Sequence, residues 1–319
     1  MTEIMTMGEI IVEIMRSSVD QPLDRPGIFK GPYPSGAPAI FIDTVARLGH
    51  GAAIVGGVGE DDFGKCLLDR LERDGVDCSC IIKNDRISTG CAFVTYFSDG
   101  ERKFIFHIGN TPAVLAPIPP VEKLQGLKYF HIMGCSLMAD ISFGRKIVKT
   151  MEQAAAQGAK ITFDPNIRPE LLKDPEALEL VSAVLEQTNI FLPGKSELKL
   201  LSGCEDTEEA VAQLFRTRKN LEILVLKNGS EGCIVHTHEA HFAMGICPVE
   251  AVDATGAGDS FDGAFLCGLL EGKSLEDAAR MATAAAALNT CAFGPMEGNI
   301  SPETVADLLA VHPLPASVF

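Results

Sequence analysis

The run Val252-Asp253-Ala254-Thr255-Gly256-Ala257-Gly258-Asp259-Ser260-Phe261 decides how this chain of 319 residues is read. Downstream of it, Phe261, Ala264, Phe265, Gly268 and Leu269 fall at helical spacing, which predicts a helix over 260–270 with one buried face. Two glycines and an alanine at the start of that helix leave successive main-chain N–H groups unobstructed. With the positive end of the helix dipole, the amides of Gly256, Ala257 and Gly258 predict a pocket for an anion. Asp259 stands beside that pocket, where a carboxylate opposes a resting phosphate. Two accounts of it are open. It is a general base that takes a proton from a hydroxyl while the amides steady a transferring phosphoryl group. Otherwise it is a first-turn Asp favoured by the dipole alone.

Outward from this run, apolar strands and amphipathic helices take turns. Residues 52–58 form a continuous apolar run, and 62–74 an amphipathic helix ended by Gly75. Strand 128–133 precedes helix 143–157, strand 160–163 precedes helix 174–187, and strand 190–192 precedes a helix from Ser196. Strand 223–226 leads through a turn to strand 232–236, and helices 274–288 and 302–311 close the chain. At the other end, 5–14 reads as a strand interrupted by Gly8, 22–38 as loop, and 39–48 as a helix. One hairpin breaks the alternation: 91–97 and 102–108 are β-rich runs joined by Ser98-Asp99-Gly100. The pattern predicts a single α/β domain over 1–319. Its mostly parallel sheet carries helices on both faces, binds ligands at the strands' carboxyl ends, and lets the hairpin project as a flap.

Lys plus Arg number 27 against 43 Asp plus Glu, a net charge of −16. A surface this acidic is repelled by phosphate backbones and anionic lipid, which argues against nucleic-acid and membrane-surface partners. No apolar run reaches the roughly 18 residues of a membrane span. Glu3, Glu9 and Glu13 precede the first base, Arg16, so no secretory leader is expected. The ten Cys are scattered, with only Cys78 and Cys80 close together, a distribution that suits reduced thiols in the cytoplasm. Two partial nucleotide motifs fail. Gly194-Lys195-Ser196 and Gly272-Lys273-Ser274 lack the earlier glycine of a Walker loop, since Asn189 and Cys267 stand there. Gly57-Val58-Gly59 and Gly256-Ala257-Gly258 lack the third glycine of a dinucleotide fingerprint.

The run 253–259 resembles the signature Asp-Thr-Thr-Gly-Ala-Gly-Asp of the ribokinase family, also called the PfkB family of carbohydrate kinases, with Ala254 replacing one Thr. The similarity extends from about Met7 to Pro302. Ser35-Gly36-Ala37-Pro38-Ala39, Ala46-Arg47-Leu48-Gly49 and Val58-Gly59-Glu60-Asp61-Asp62-Phe63-Gly64 resemble the family's first signature. Asp99-Gly100-Glu101-Arg102 resembles its lid strands, and Phe163-Asp164-Pro165-Asn166-Ile167-Arg168 a stretch of its fructokinase and 2-keto-3-deoxygluconate kinase branches. The resemblance implies a ribokinase-like fold with a β-sheet lid from about 12–36 and 88–110. It also implies ATP-dependent phosphorylation of a small sugar, Mg²⁺, K⁺ near Asp253 and the 291–296 loop, and a homodimer paired through the lids. By the same resemblance Asp259 is the catalytic base, Gly256 to Gly258 the anion hole, and Arg168 the bridge between substrate and phosphate. Asn166, Lys227, Asn228, Gly229, Gly232 and Asn289 are then nucleotide contacts, and Glu197 helps hold hydrated Mg²⁺. A helix cap competes for Glu197 because Gly194 replaces the family's Asn; a plain β-turn competes for 227–232.

On the sugar side, Glu13, Gly36, Ala37, His107 and Asp253 are the implied contacts. Here the chain departs from its family: Ile40 stands where an Asn positions the sugar, and Glu13 where an Asp accepts from sugar hydroxyls. Ile105-Phe106-His107 replaces the Tyr-x-Arg that faces a sugar acid, which favours a neutral ketohexose of the fructose or tagatose type. The alternatives are 2-keto-3-deoxygluconate and related keto-sugars, then ribose or a nucleoside, and a non-catalytic sugar- or nucleotide-sensing protein.

Overall fold

The N-terminal apolar stretch divides at Gly8 into two strands that join different sheets. β1 (Ile4–Met7) lies in a large sheet and β2 (Ile11–Arg16) in a small one, so the single strand expected over 5–14 is two. A Cβ on Gly8 would sit 2.3 Å from Pro38 Cγ and 2.5 Å from Ser136 Oγ, so only glycine passes where the chain leaves the large sheet. The computed structural model describes residues 1–98, 102–172 and 174–314, with main chain alone at 316–318. The expected hairpin turn at Asp99 and Gly100 lies outside the described residues.

β3 (Phe29–Ser35) pairs antiparallel with β2, where a loop was expected. It is an edge strand, and an edge tolerates Pro32 and Pro34 because their missing N–H groups cost no ladder bond. Next come α1 (Ala37–Arg47), β4 (Ala52–Gly59), α2 (Asp62–Arg73) and β5 (Asp77–Asn84). β6 (Gly90–Tyr96) and β7 (Arg102–His107) complete the small sheet, whose order is β3-β2-β6-β7 with β2 and β6 parallel. The short α3 (Pro112–Leu115) leads to β8 (Tyr129–Met133), α4 (Gly134–Ala139), α5 (Ile141–Ala156), β9 (Lys160–Asp164) and α6 (Glu176–Gln187). Then follow β10 (Ile190–Phe191), α7 (Lys195–Ser202), α8 (Thr207–Thr217), β11 (Ile223–Lys227), β12 (Cys233–His236) and β13 (His241–Met244). The chain ends in α9 (Ala257–Leu270), α10 (Leu275–Thr290), α11 (Pro302–Val311) and β14 (Ala316–Val318).

The large sheet runs β14-β13-β12-β11-β10-β9-β8-β1-β4-β5. From β11 to β5 every pairing is parallel; β12, β13 and β14 add an antiparallel edge. The two-residue period of the strands divides their side chains between two cores. Ile4, Ile54, Ile190 and Val225 face α1, α2, α9 and α10, whereas Met5, Met7, Phe191 and Leu224 face α5, α6 and α8. α9 departs from the one-sided burial expected of it. Every residue from Ser260 to Gly268 is buried, because α1 and α10 pack against it as well as the sheet. Small residues permit that approach: a Cβ on Gly263 would meet Phe41 O at 2.8 Å, and one on Gly268 the Ala278 Cα at 2.8 Å.

Candidate active site

Five parallel strands end at one cleft. Glu9 follows β1, Cys135 follows β8, Asp164 ends β9 with Asn166 and Arg168 just beyond it, Gly194 and Glu197 follow β10, and Lys227 closes β11; all line one cavity of about 210 Å³. The small sheet supplies the opposite wall through Ile11 and Glu13 of β2 and Arg102, Phe104 and Phe106 of β7. The floor is the α9 N-terminus, where Ala254, Thr255, Gly256, Gly258 and Asp259 also line the cavity.

Gly256 is the N-cap of α9 at φ +80°, and a Cβ there would lie 2.4 Å from Pro295 O, so the turn requires glycine on both counts. Asp259, in the first turn, is only 8% exposed and accepts a hydrogen bond from Asn166 Nδ2 at 3.1 Å. Burial, with the Asp164 carboxylate nearby, pushes its carboxyl up to about 7; Lys227, Arg168 and Arg102 work against that rise. Such a group shares its proton near neutral pH, the condition a general base needs. Asn166 is itself locked at φ +39°, with its N–H donated to Asp164 Oδ1 at 3.0 Å.

Beneath this lies a buried charge cluster that the sequence did not reveal. Lys227 Nζ donates to Asp164 Oδ2 at 2.8 Å and to both oxygens of Asp262, at 2.9 and 3.1 Å. Burial opposes the ammonium, but the two carboxylates outweigh it and hold the Lys227 pKa above its ordinary value. Lys227 is thus committed to carboxylates as well as lining the cleft. Two further carboxylates of the cleft are equally buried. Burial raises Glu13 to about 7; Ser35 donates to its Oε1 at 2.7 Å, while its Oε2 is buried with no protein partner. Glu9, raised by burial, accepts from Cys135 Sγ at 3.0 Å and from Ser136 Oγ at 2.5 Å.

Of the residues singled out in the sequence, Asp259, Gly256, Gly258, Arg168, Asn166, Glu197, Lys227, Glu13, Gly36 and Ala37 meet at this cleft. Arg168 lies against the ring of Phe104, with its Cζ 5.9 Å from the ring centre. Glu197 is a helix cap that also lines the cleft. It caps α7 by accepting from Gly194 N at 2.7 Å and ties in the β9 loop by accepting from Ile167 N at 2.7 Å.

The other site residues singled out in the sequence lie away from this cavity. His107 is on the other face of β7, 6.3 Å from the Phe93 ring and lining a separate cavity, because strand parity turns Arg102, Phe104 and Phe106 inward instead. Asp253 does not line the cleft. Its Oδ1 accepts from Thr255 N at 2.9 Å and Tyr96 Oη at 3.1 Å, and its Oδ2 from Gly294 N at 3.0 Å. Asn289, 1% exposed, donates Nδ2 to Thr255 O at 2.8 Å and so braces the turn from behind. Ala257 lies inside the helix start, and Asn228, Gly229 and Gly232 form the turn after β11; none of these four lines the cavity. Glu9, Asp164, Asp262, Arg102 and Thr255 were not anticipated as site residues. The signal available for Glu9 and Asp164 was an acidic residue at the carboxyl end of an apolar strand.

A glycine-opened helix N-terminus with a buried first-turn carboxylate, at the carboxyl edge of a parallel sheet and faced by a small β-sheet, defines a sugar-kinase architecture. The chain belongs to the pfkB family of carbohydrate kinases, whose family model matches residues 1–302. It is 34% identical over 295 residues to "Probable fructokinase-3" of Arabidopsis thaliana, covering 90% of this chain and 84% of that protein. A crystal structure of a "putative Ribokinase II" from E. coli with ATP and Mg²⁺ superposes with a TM-score of 0.91 at 39% identity, covering 98% of this chain and 100% of that one. A fructokinase with bound ATP from Xylella fastidiosa gives 0.84 at 25% identity, covering 98% and 99%. The protein is a sugar phosphotransferase. Among the described residues no helix is long and apolar enough to cross a membrane.

Proposed function

We propose that the protein transfers the γ-phosphoryl group of ATP to a primary hydroxyl of a neutral ketohexose of the fructose or tagatose type. The observation that carries this is Asp259: buried, raised to about 7, bonded to Asn166 and adjoining the open amides of the α9 N-terminus. Asp259 takes the hydroxyl proton as the hydroxyl oxygen bonds to the γ-phosphorus. The bond from that phosphorus to the β,γ-bridging oxygen breaks, and its electron pair leaves with ADP. The Gly256 to Gly258 amides and the Arg168 guanidinium offset charge on the moving group. Glu13 accepts from sugar hydroxyls through its unpartnered Oε2. The small sheet acts as the lid and keeps water from the γ-phosphate.

Mg²⁺ suits the donors present. The cleft's donors are hard carboxylate oxygens, those of Glu197 among them, and Mg²⁺ keeps most of its waters when it rides on phosphates. Glu197 would hold it through water, and the ion would neutralise phosphate charge. For K⁺, Asp253 keeps about one of its four acceptor positions open. Main-chain carbonyls of the 291–296 loop would supply the other ligands. The exposed side chains of β7, an edge strand, make lid-to-lid pairing the proposed dimer contact.

A second reading rests on Arg102, which faces the cleft beside Arg168 and gives a sugar carboxylate a partner. It keeps 2-keto-3-deoxygluconate in contention. The test is a panel of fructose, tagatose, 2-keto-3-deoxygluconate, ribose and a nucleoside with ADP release coupled to a dehydrogenase. Fructose or tagatose turning over fastest supports the proposal. Fastest turnover of the sugar acid replaces it with the second reading, and ligand binding without ADP release would point to a sensor.

A further inference from the structure

We infer that the Tyr96 hydroxyl is a positioning group that holds the small sheet in register with the anion-binding turn; this rests on the kinase reading above. Tyr96 is the last residue of β6, and its Oη lies 3.1 Å from Asp253 Oδ1 and 2.7 Å from Thr255 Oγ1. A phenol has a single hydrogen. The carboxylate cannot donate, so Tyr96 donates to Asp253 and the Thr255 hydroxyl donates to Tyr96.

Both partners belong to the turn that shapes the site. Asp253 Oδ1 also accepts the Thr255 N–H, and Thr255 precedes Gly256, whose left-handed φ aims the amides of α9. Among the described residues no other hydrogen bond joins the small sheet to residues 252–259. The small sheet carries Glu13 against the sugar and Phe104 against Arg168, while the turn carries the phosphoryl-handling amides and Asp259. Tyr96 therefore sets the distance between acceptor hydroxyl and γ-phosphate without touching either.

The test is Tyr96→Phe, which keeps the ring and deletes the hydroxyl. The expected result is a fall in kcat of about tenfold at saturating sugar and ATP, the scale of one hydrogen bond to a charged acceptor, with KM for ATP within about twofold of the parent. Thr255→Val removes the other end of the relay. In the double variant the loss should match the larger single loss rather than their product, because the two act as one unit. A Tyr96→Phe kcat within about twofold of the parent overturns the inference. So do losses that multiply in the double variant, and a loss that only tracks the unfolded fraction in thermal melts. A parent inactive on every sugar would instead sink the kinase reading.

Discussion

Asp259→Asn should make the protein both inactive and more stable, and the size of the gain follows from the site. The carboxyl's pKa is raised from its ordinary 3.8 to about 7 because ionising it costs solvation inside the cleft. Folded chains therefore hold a proton that unfolded chains have released between about pH 4 and 7. That cost is absent below pH 4 and complete above pH 7. That rise amounts to about 4 kcal/mol above pH 7. The neutral amide escapes the cost but weakens the bond from Asn166 by about 1 kcal/mol, leaving a net gain of ~3 kcal/mol at pH 8. The pH dependence is the sharper signature, since the gain should grow by about 2.5 kcal/mol between pH 5 and pH 8. Glu13 and Asp43, also raised to about 7, are common to both proteins and cancel in the difference. Urea unfolding of parent and variant at the two pH values measures it, and the coupled assay should show a loss of 10² to 10⁴ in turnover, roughly what a positioned base supplies. A gain equal at pH 5 and 8, or no gain at all, refutes the electrostatic reasoning; near-normal turnover in the folded variant refutes the base assignment.

The same carboxyl should give kcat/KM an acid limb with a midpoint near pH 7, activity falling as Asp259 takes up its proton; a pH profile flat from 6 to 8 would contradict it. Lys227→Met leaves Asp164 and Asp262 facing one another without the ammonium and should cost about 3 to 5 kcal/mol in urea unfolding at pH 8. Glu13→Gln should raise KM for the sugar by roughly tenfold and leave KM for ATP unchanged, since the Oε2 acceptor is lost on the sugar side alone. Activity higher in K⁺ than in Na⁺ or cation-free buffer is the outcome expected if the loop carbonyls beside Asp253 hold an ion, and equal rates would remove the ion from the site.

How far the site could be read in advance depends on how local each feature is. Gly256 and Asp259 were legible because their geometry is made within six residues: a left-handed glycine, a helix start and a first-turn acid occur together in any fold that contains them. Alternating strands and helices gave the layers for the same reason. The strand β5 was missed because it is a sheet edge, where partial exposure along its whole length erases the alternation that betrays a buried strand. α8 was missed because no Pro separates it from α7; the break is Gly203 at φ +73°, and Asp206 caps the new helix by accepting from Glu209 N.

His107, Asp253 and Asn289, which lie away from the cavity, show a different limit, since their roles came from the family resemblance and not from local geometry. In a strand, type says nothing of face: moving the frame of β7 by one residue exchanges the set Arg102, Phe104, Phe106 with the set Lys103, Ile105, His107. Only the register against β6, with Ala92 opposite Phe106 and Val94 opposite Phe104, fixes which set turns inward. That register brought Arg102 to the cleft, so the argument for a neutral sugar from a missing arginine loses part of its force. Asp253 and Asn289 illustrate the complementary limit. A polar residue near an anion-binding turn can face the ligand or buttress the turn, and both uses want the same hydrogen-bonding groups. Here the buttress wins because Gly256, with Pro295 O pressed against it, leaves Thr255's carbonyl and amide buried, and buried main-chain groups need partners more urgently than a solvated ligand does.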